Sequence, residues 1–292
     1  MNTTPRIRAV AALLAGTLAA GCAPGGDPPP AAAARAALRV IATQPGELGR
    51  AEAVAARRCL RARGFDAPLP VAEAGAVQNL PVRIDERAAR TAGYGDLVPR
   101  GAAASGAAMD AYAGGLPEPR QAGLERALAV HTGAGARLTT PNGWEFTAPR
   151  AGCVAEGRAA VYGSVDNWLL AFYLPQDLNL VAADSYLDPR VTAASARYHG
   201  CMAEAGYRAQ TPRDAVELAR DSADTADRVP AGELALATAD AGCQRRSGVV
   251  ETWYAEFERR AGPWLDRDPA LVIRAAEVVH EATLRARNVS AQ

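Results

Sequence analysis

A cysteine-bearing pattern occurs twice in this chain and restricts the possible folds more than any other feature. Cys59 and Cys201 are each followed by a large apolar residue, three further residues, a glycine and an aromatic residue. A second cysteine follows in each unit, as Ala151-Gly152-Cys153 and Ala241-Gly242-Cys243. Two copies in the same order indicate a duplication into two related halves. The pattern favours pairing Cys59 with Cys153 and Cys201 with Cys243, and pairing between the halves is the alternative.

The N-terminus has the organisation of an export signal. Arg6 and Arg8 precede an apolar stretch from Ala9 to Ala20. As a helix, a dozen residues rise about 18 Å, too little for a hydrocarbon core of about 30 Å. The stretch ends in Leu18-Ala19-Ala20-Gly21-Cys22, which resembles the lipobox of bacterial lipoproteins, although Ala19 stands where leucine is commoner. We expect a signal peptide over residues 1–21 and a lipid on Cys22; the alternative is an ordinary secretory signal cut near Ala20.

Export also explains the number of cysteines. Five cysteines less a lipidated Cys22 leave four, and an even number in an exported chain indicates two disulfides. After Cys22 the segment 22–45 is rich in proline, glycine and alanine, which predicts an extended tether between the lipid anchor and the folded body. Acyl chains contribute about 0.8 kcal/mol per buried methylene, so two or three would hold the protein firmly on the extracytoplasmic face of the cell membrane.

Helical periodicity dominates the remaining sequence. Gly64 is expected to end a helix over 46–63, with Cys59 on its apolar face. The apolar stripe of this helix contains Leu48, Ala51, Ala55, Cys59 and Ala62. Asp188-Pro189 predicts the N-cap and first turn of the matching helix in the second half. Its stripe contains Val191, Ala194, Tyr198, Cys201 and Ala205.

Three further helix signals follow in the second half. Thr211 to Asp214 resembles a capping box, and Asp268-Pro269 predicts the start of the last helix. Between them lies a long amphipathic pattern that contains Trp253 and Phe257, with an interruption expected at Gly248.

The predicted fold is therefore mostly α-helical and stapled by disulfides, built either as two related halves or as one elongated unit. Strand signals are scarce outside residues 144–147, and residues 67–115 are predicted to be rich in loops. The expected division is a first helical half over 46–187 and a second over 188–292.

The combined pattern resembles a known group of proteins. The two Cys-x4-Gly-aromatic units, Asp188 to Val191, Asp240 to Cys243 and the following Trp253 are similar to uncharacterised secreted lipoproteins of actinobacteria. The resemblance covers about Val54 to Trp264. It implies export, paired cysteines and a helical fold, and it implies no activity and no functional residue.

Composition removes several mechanisms. All 32 basic residues are arginine, so Schiff-base chemistry, Ser-Lys dyads and the P-loop lysine are excluded. The 32 acidic residues balance this charge, and a chain without net positive charge is a poor partner for nucleic acid. No Gly-x-Ser-x-Gly motif is present. We therefore name no catalytic residue.

Metal and cofactor signals are also weak. The three histidines, His131, His199 and His280, do not stand at metal-ligand spacing and are more typical of surface or packing positions. Asp221, Asp224 and Asp227 recur every third residue, but the glycine and glutamate of a calcium loop are missing. We predict no metal and no cofactor.

Three functional hypotheses remain. The favoured one is a non-enzymatic cell-envelope module that binds an envelope protein or a wall polymer. The second is a small-molecule-binding lipoprotein. The third is a cell-wall hydrolase, since two suitably spaced carboxylates suffice for glycoside hydrolysis. Its candidate acids are Asp166, Asp177, Asp184 and Asp188, near the aromatic residues Trp168, Phe172, Tyr173 and Tyr186; the alternative interpretation makes these residues helix caps and a core stripe.

Overall fold

The computed structural model describes residues 30–71, 77, 80–98, 106–129, 135–222 and 229–291. Within these ranges the chain is mostly helical, with one two-stranded sheet and two disulfides. The predicted mostly-α, disulfide-stapled fold class is therefore confirmed.

The elements before the second half fall into two runs separated by a hairpin. The first run is α1 (Pro30–Ala42), α2 (Glu47–Ala62), α3 (Glu86–Ala92), α4 (Gly106–Gly114) and α5 (Glu118–Leu128), with a short 3-10 helix at Gly95–Leu97. The antiparallel hairpin is β1 (Ala136–Thr139) and β2 (Glu145–Ala148), with Ala136 opposite Ala148. The second run is α6 (Cys153–Tyr162), α7 (Val165–Tyr173), a 3-10 helix at Leu174–Leu178, and α8 (Asn179–Ser185).

The last five helices are α9 (Pro189–Glu204), α10 (Pro212–Asp221), α11 (Ala231–Ser247), α12 (Val249–Leu265) and α13 (Pro269–Ser290). All of them except α11 begin at a local signal in the sequence. Asp188 and Asp268 accept N-cap hydrogen bonds from backbone N–H groups, and Thr211 forms a full capping box with Asp214. Gly248, in the left-handed conformation at φ +66°, separates α11 from α12 as expected.

The largest core cluster combines residues from both sides of position 188. Leu38 of α1, Tyr162 of α6 and Leu169 of α7 are fully buried with Trp253 of α12 and Val272 of α13. Helix α13 packs along α1 and α2, so the C-terminal helix covers the N-terminal ones. The two ends of the described chain therefore share one core.

Two smaller clusters contain the disulfides. The second cluster joins α9, α10 and α11 around Tyr198, Met202 and Cys243, and the loop residue Tyr94 packs into it. The third joins α2, α5 and the start of α6 around Leu60, Phe65 and Cys153. Each bridge thus lies inside an apolar cluster that its own helices build.

Two segments are more ordered than the sequence indicated. The predicted tether 22–45 is wrong from Pro30 onward, because residues 30–42 form α1 and bury Leu38 and Ile41 completely. The predicted loop-rich stretch 67–115 contains α3 and α4. Small residues supply most of both segments, and alanine becomes a core residue only when a neighbouring helix covers it.

The buried face of α2 is rotated from its predicted stripe. In α2, Leu48 and Ala51 are buried as expected, but the face continues through Ala56 and Leu60 while Ala62 is exposed. In an alanine-rich helix, spacings of three and four fit several overlapping stripes. The neighbouring helices select one of them.

Candidate functional site

The predicted lipidation site, Cys22, lies outside the described residues. It stands eight positions before Pro30, where α1 begins. Eight residues span at most about 29 Å when fully extended. If Cys22 carries a lipid, the first turn of α1 lies within that distance of the membrane surface.

The four other cysteines form two bridges. Cys59 pairs with Cys153 at a Cα–Cα distance of 5.4 Å, and Cys201 pairs with Cys243 at 5.6 Å. Both distances suit a disulfide. These are the two within-half pairs that the repeated pattern favours, and they link α2 to α6 and α9 to α11.

Asp177, a candidate hydrolase acid, is a buried structural acceptor. Its carboxylate accepts hydrogen bonds from the Thr140 hydroxyl at 2.7 Å, the Asn142 backbone N–H at 2.9 Å and the Trp264 indole N–H at 3.2 Å. These bonds tie the hairpin turn to α12. Because this buried carboxylate already accepts three hydrogen bonds, few of its acceptor positions remain for a substrate.

The other three candidate acids also have separate surroundings. Asp166 pairs with Arg150 at the surface, Asp184 is exposed, and Asp188 caps α9 while pairing with Arg190. Hydrogen bonds from the Arg190 side chain and backbone lower the pKa of Asp188 to about 2. A general acid requires a raised pKa, so the described contacts do not support the hydrolase hypothesis.

The aromatic residues near these acids belong to the core. Trp168 is buried and stacks on Phe172 at 5.1 Å between ring centroids, and the Arg158 guanidinium lies 3.4 Å from the Trp168 ring centroid. Ser164 caps α7 by accepting from the Asn167 N–H. The interpretation of this region as helix caps and a core stripe is therefore the one that the structure supports.

The remaining candidates do not come together. His199 hydrogen-bonds the Ala209 carbonyl at 3.1 Å, and His280 lies on α13. His131, Asp224 and Asp227 lie outside the described residues, while Asp221 ends α10. Across the described ranges, no group of three or more His, Cys, Asp or Glu residues is placed to hold a metal ion.

A buried network around Asp240 was not predicted from the sequence. Its carboxylate accepts hydrogen bonds from the Tyr198 hydroxyl at 2.8 Å, the Gln244 side chain at 2.9 Å and the Tyr94 hydroxyl at 3.1 Å. Burial raises the pKa of Asp240 to about 6, against the lowering effect of these donors. The network joins α9 and α11 to the loop after α3, which only the folded chain brings together.

A second buried acid, Glu52 of α2, faces α6. Burial raises the pKa of Glu52 to about 7, while the nearby positive charge of Arg158 opposes the shift. Nothing in the sequence distinguishes Glu52 from exposed glutamates on other helices. The contact between α2 and α6 alone makes it a titrating core residue.

Glu52→Gln is expected to remove a pH-dependent part of the stability. A folded-state pKa above the unfolded value favours the folded protein at low pH, and this contribution is lost between about pH 4.5 and 7. The gap between the unfolding free energies of wild type and variant should therefore shrink by up to about 3 kcal/mol over that interval. Urea unfolding at each pH measures it, with Glu47→Gln, at a half-buried position in the first turn of the same helix, as control. A constant gap would contradict the assignment.

An apolar groove runs between α1 and α13. Its volume is about 740 Å³, and Ala36, Val40, Ile273 and Ala276 form much of its lining. Val40 is 40% exposed. Polar side chains on α13, among them Glu277, line the same groove. One wall of the groove is α1, the helix that begins eight positions after Cys22.

Other large apolar side chains are exposed in the hairpin turn and on or after α8. Trp144 is 63% exposed, and Leu180 and Leu187 are 77% and 75% exposed. These three residues line neither of the two described pockets.

Comparisons with protein-family models, with curated proteins and with solved structures found no match to this chain. In the part of the chain that the structure describes, no helix combines the length and apolar character needed to cross a bilayer.

Proposed function

We propose that this chain is a lipid-anchored extracytoplasmic lipoprotein and a non-enzymatic binding module of the cell envelope. The occupant of its α1–α13 groove is an apolar segment of an envelope protein. The main support is the groove itself, an exposed apolar concavity on the helix that begins eight positions after Cys22.

The lining of the groove favours a protein over a wall polymer. Seven of its twelve lining residues are alanine, valine, isoleucine or proline, the other five are threonine, glutamate or histidine, and none is Trp, Tyr or Phe. Sugar rings usually bind by stacking on aromatic side chains. The apolar side chains of a protein segment instead gain binding free energy when water is excluded from a groove lined by small residues. Glu277 and Glu281 on one wall would favour a segment with basic flanks.

The anchor is tested by metabolic labelling with palmitate. The wild-type protein should incorporate the label and fractionate with membranes, whereas Cys22→Ala should not incorporate it, because acylation requires the thiol. Equal labelling of both proteins would contradict the lipoprotein assignment.

The groove is tested by crosslinking in intact cells followed by purification. Val40→Glu places a charge in the apolar lining and should reduce recovery of the crosslinked partner more than tenfold, the effect of about 1.4 kcal/mol or more. Leu180→Glu adds the same charge at an exposed leucine far along the chain on α8 and should leave recovery unchanged. Equal recovery with Val40→Glu and wild type would exclude the groove as the binding surface.

A further inference from the structure

The Cys201–Cys243 bridge lies at the wall of a small surface pocket. The pocket has a volume of about 270 Å³, and Arg197, Gly200, Cys201, Glu204 and Arg246 line it. Cys201 is half-buried, whereas Cys243 is completely buried. Beyond its two neighbouring residues and the nearby backbone of α9, no atom lies within 4 Å of a Cβ added at Gly200, so this face of α9 is open. An incoming reagent therefore reaches the Cys201 sulfur first.

A guanidinium contacts both sulfurs of this bridge. The Nη2 atom of Arg246 lies 2.6 Å from Cys201 Sγ and 3.3 Å from Cys243 Sγ. Arg197 is held beside it by donating to the Ser247 carbonyl at 2.9 Å. Two arginines against the single carboxylate of Glu204 give the pocket a net positive charge. Such surroundings attract anions and stabilise a thiolate.

We propose that the Cys201–Cys243 bridge is a thiol-exchange site that accepts a small anionic thiol at Cys201. The sulfur of the incoming thiolate attacks Cys201 Sγ and forms a new S–S bond as the Cys201–Cys243 bond breaks. The electron pair of the broken bond leaves on Cys243 Sγ, where Arg246 stabilises the resulting thiolate. One thiolate is consumed and one is formed, so no external oxidant is needed, and the reverse attack closes the bridge again.

The first bridge lacks this arrangement and provides an internal control. Both bridges combine a half-buried cysteine with a fully buried one in an apolar cluster. In the ranges that the structure describes, the two hydrogen bonds donated to a cysteine sulfur both come from Arg246 and both reach the second bridge. A thiolate leaving from Cys153 would therefore form without the charge-assisted hydrogen bond that Arg246 offers to Cys243.

The experiment treats the full-length protein in detergent with limiting glutathione, an anionic thiol, and quenches the reaction by alkylation. Peptide mass mapping should find glutathione on Cys201 and an alkylated Cys243, at least about tenfold sooner than any adduct at Cys59 or Cys153. With cysteamine, a cationic thiol, at equal thiolate concentration, the reaction should show little preference for Cys201 over the first bridge. Equal rates at the two bridges, or a first adduct on Cys59, Cys153 or Cys243, would overturn the proposal.

Two arginine variants separate the role of Arg246 from general destabilisation. Arg246→Gln should slow the reaction at Cys201 about tenfold, because the leaving sulfur loses a charge-assisted hydrogen bond. Arg245→Gln removes the same charge one position away, where the arginine pairs with Glu86, and should react like wild type. If Arg246 had only a structural role, Arg246→Gln would instead speed the reaction at Cys201, because a loosened α11 would expose the bridge to attack. Reaction of Arg246→Gln at or above the Arg245→Gln rate would therefore contradict the proposal.

Discussion

Replacing Cys59 and Cys153 together by alanine is expected to lower the free energy of unfolding by about 4–5 kcal/mol. The bridge joins positions 94 residues apart, and a crosslink over so long a loop removes much conformational freedom from the unfolded chain. A loss of this size approaches the net stability of a typical domain. Urea unfolding of a chain of residues 23–292, which leaves out the predicted lipidation site, measures it by circular dichroism.

The second bridge is the matched control for the first. Cys201 and Cys243 lie 42 residues apart, so their double alanine variant should lose slightly less, about 4 kcal/mol. Changing both cysteines of a bridge avoids free thiols that exchange with the other bridge. A loss below about 1 kcal/mol for Cys59→Ala with Cys153→Ala would contradict the expected effect of this crosslink on the freedom of the unfolded chain.

Asp240→Ala is expected to lower the free energy of unfolding by about 3 kcal/mol or more, because three buried hydrogen-bond donors lose their acceptor. The donors are the hydroxyls of Tyr94 and Tyr198 and the side-chain amide of Gln244. Burial next to the Asp240 carboxylate raises the pKa of both tyrosines, so both hydroxyls keep their protons. Thermal and urea unfolding measure the loss, and the exposed Asp221→Ala serves as control.

Asp240→Asn separates the charge of this side chain from its hydrogen bonds. The amide keeps one acceptor oxygen, so Asp240→Asn should be more stable than Asp240→Ala at pH 7. The folded-state pKa of Asp240, about 6, lies above the ordinary value of an aspartate. Its titration therefore stabilises the folded protein most below about pH 4, and this stabilisation decreases as the pH rises to 6. The stability of wild type relative to Asp240→Asn should fall by up to about 3 kcal/mol over that interval. A pH-independent difference would contradict burial as the cause of the raised pKa.

Local signals in the sequence predicted the starts and ends of several helices correctly. Asp188, Thr211 and Asp268 cap helices as expected, and Gly248 separates α11 from α12. These signals succeed because a cap or a left-handed glycine acts within one helical turn, and no distant part of the chain is needed to satisfy it. The mostly-α fold class follows from the same local information.

The repeated cysteine pattern carried information over a longer range. It favoured the pairs Cys59–Cys153 and Cys201–Cys243 among the three arithmetically possible pairings, and these are the pairs in the structure. The export signal at residues 1–21 and the lipid on Cys22 remain predictions, since they lie outside the described residues.

The sequence by itself determined where several helices begin or end, because capping and periodicity are local properties of the chain. Only the tertiary structure decided that residues 30–42 form a core helix, that Glu52 and Asp240 are buried acids, and that α1 and α13 enclose an apolar groove. Alanine, glutamate and aspartate are compatible with both surface and interior, so their environment depends on which distant helix covers them. That choice is made by the packing of the whole core, and no short window of sequence contains it.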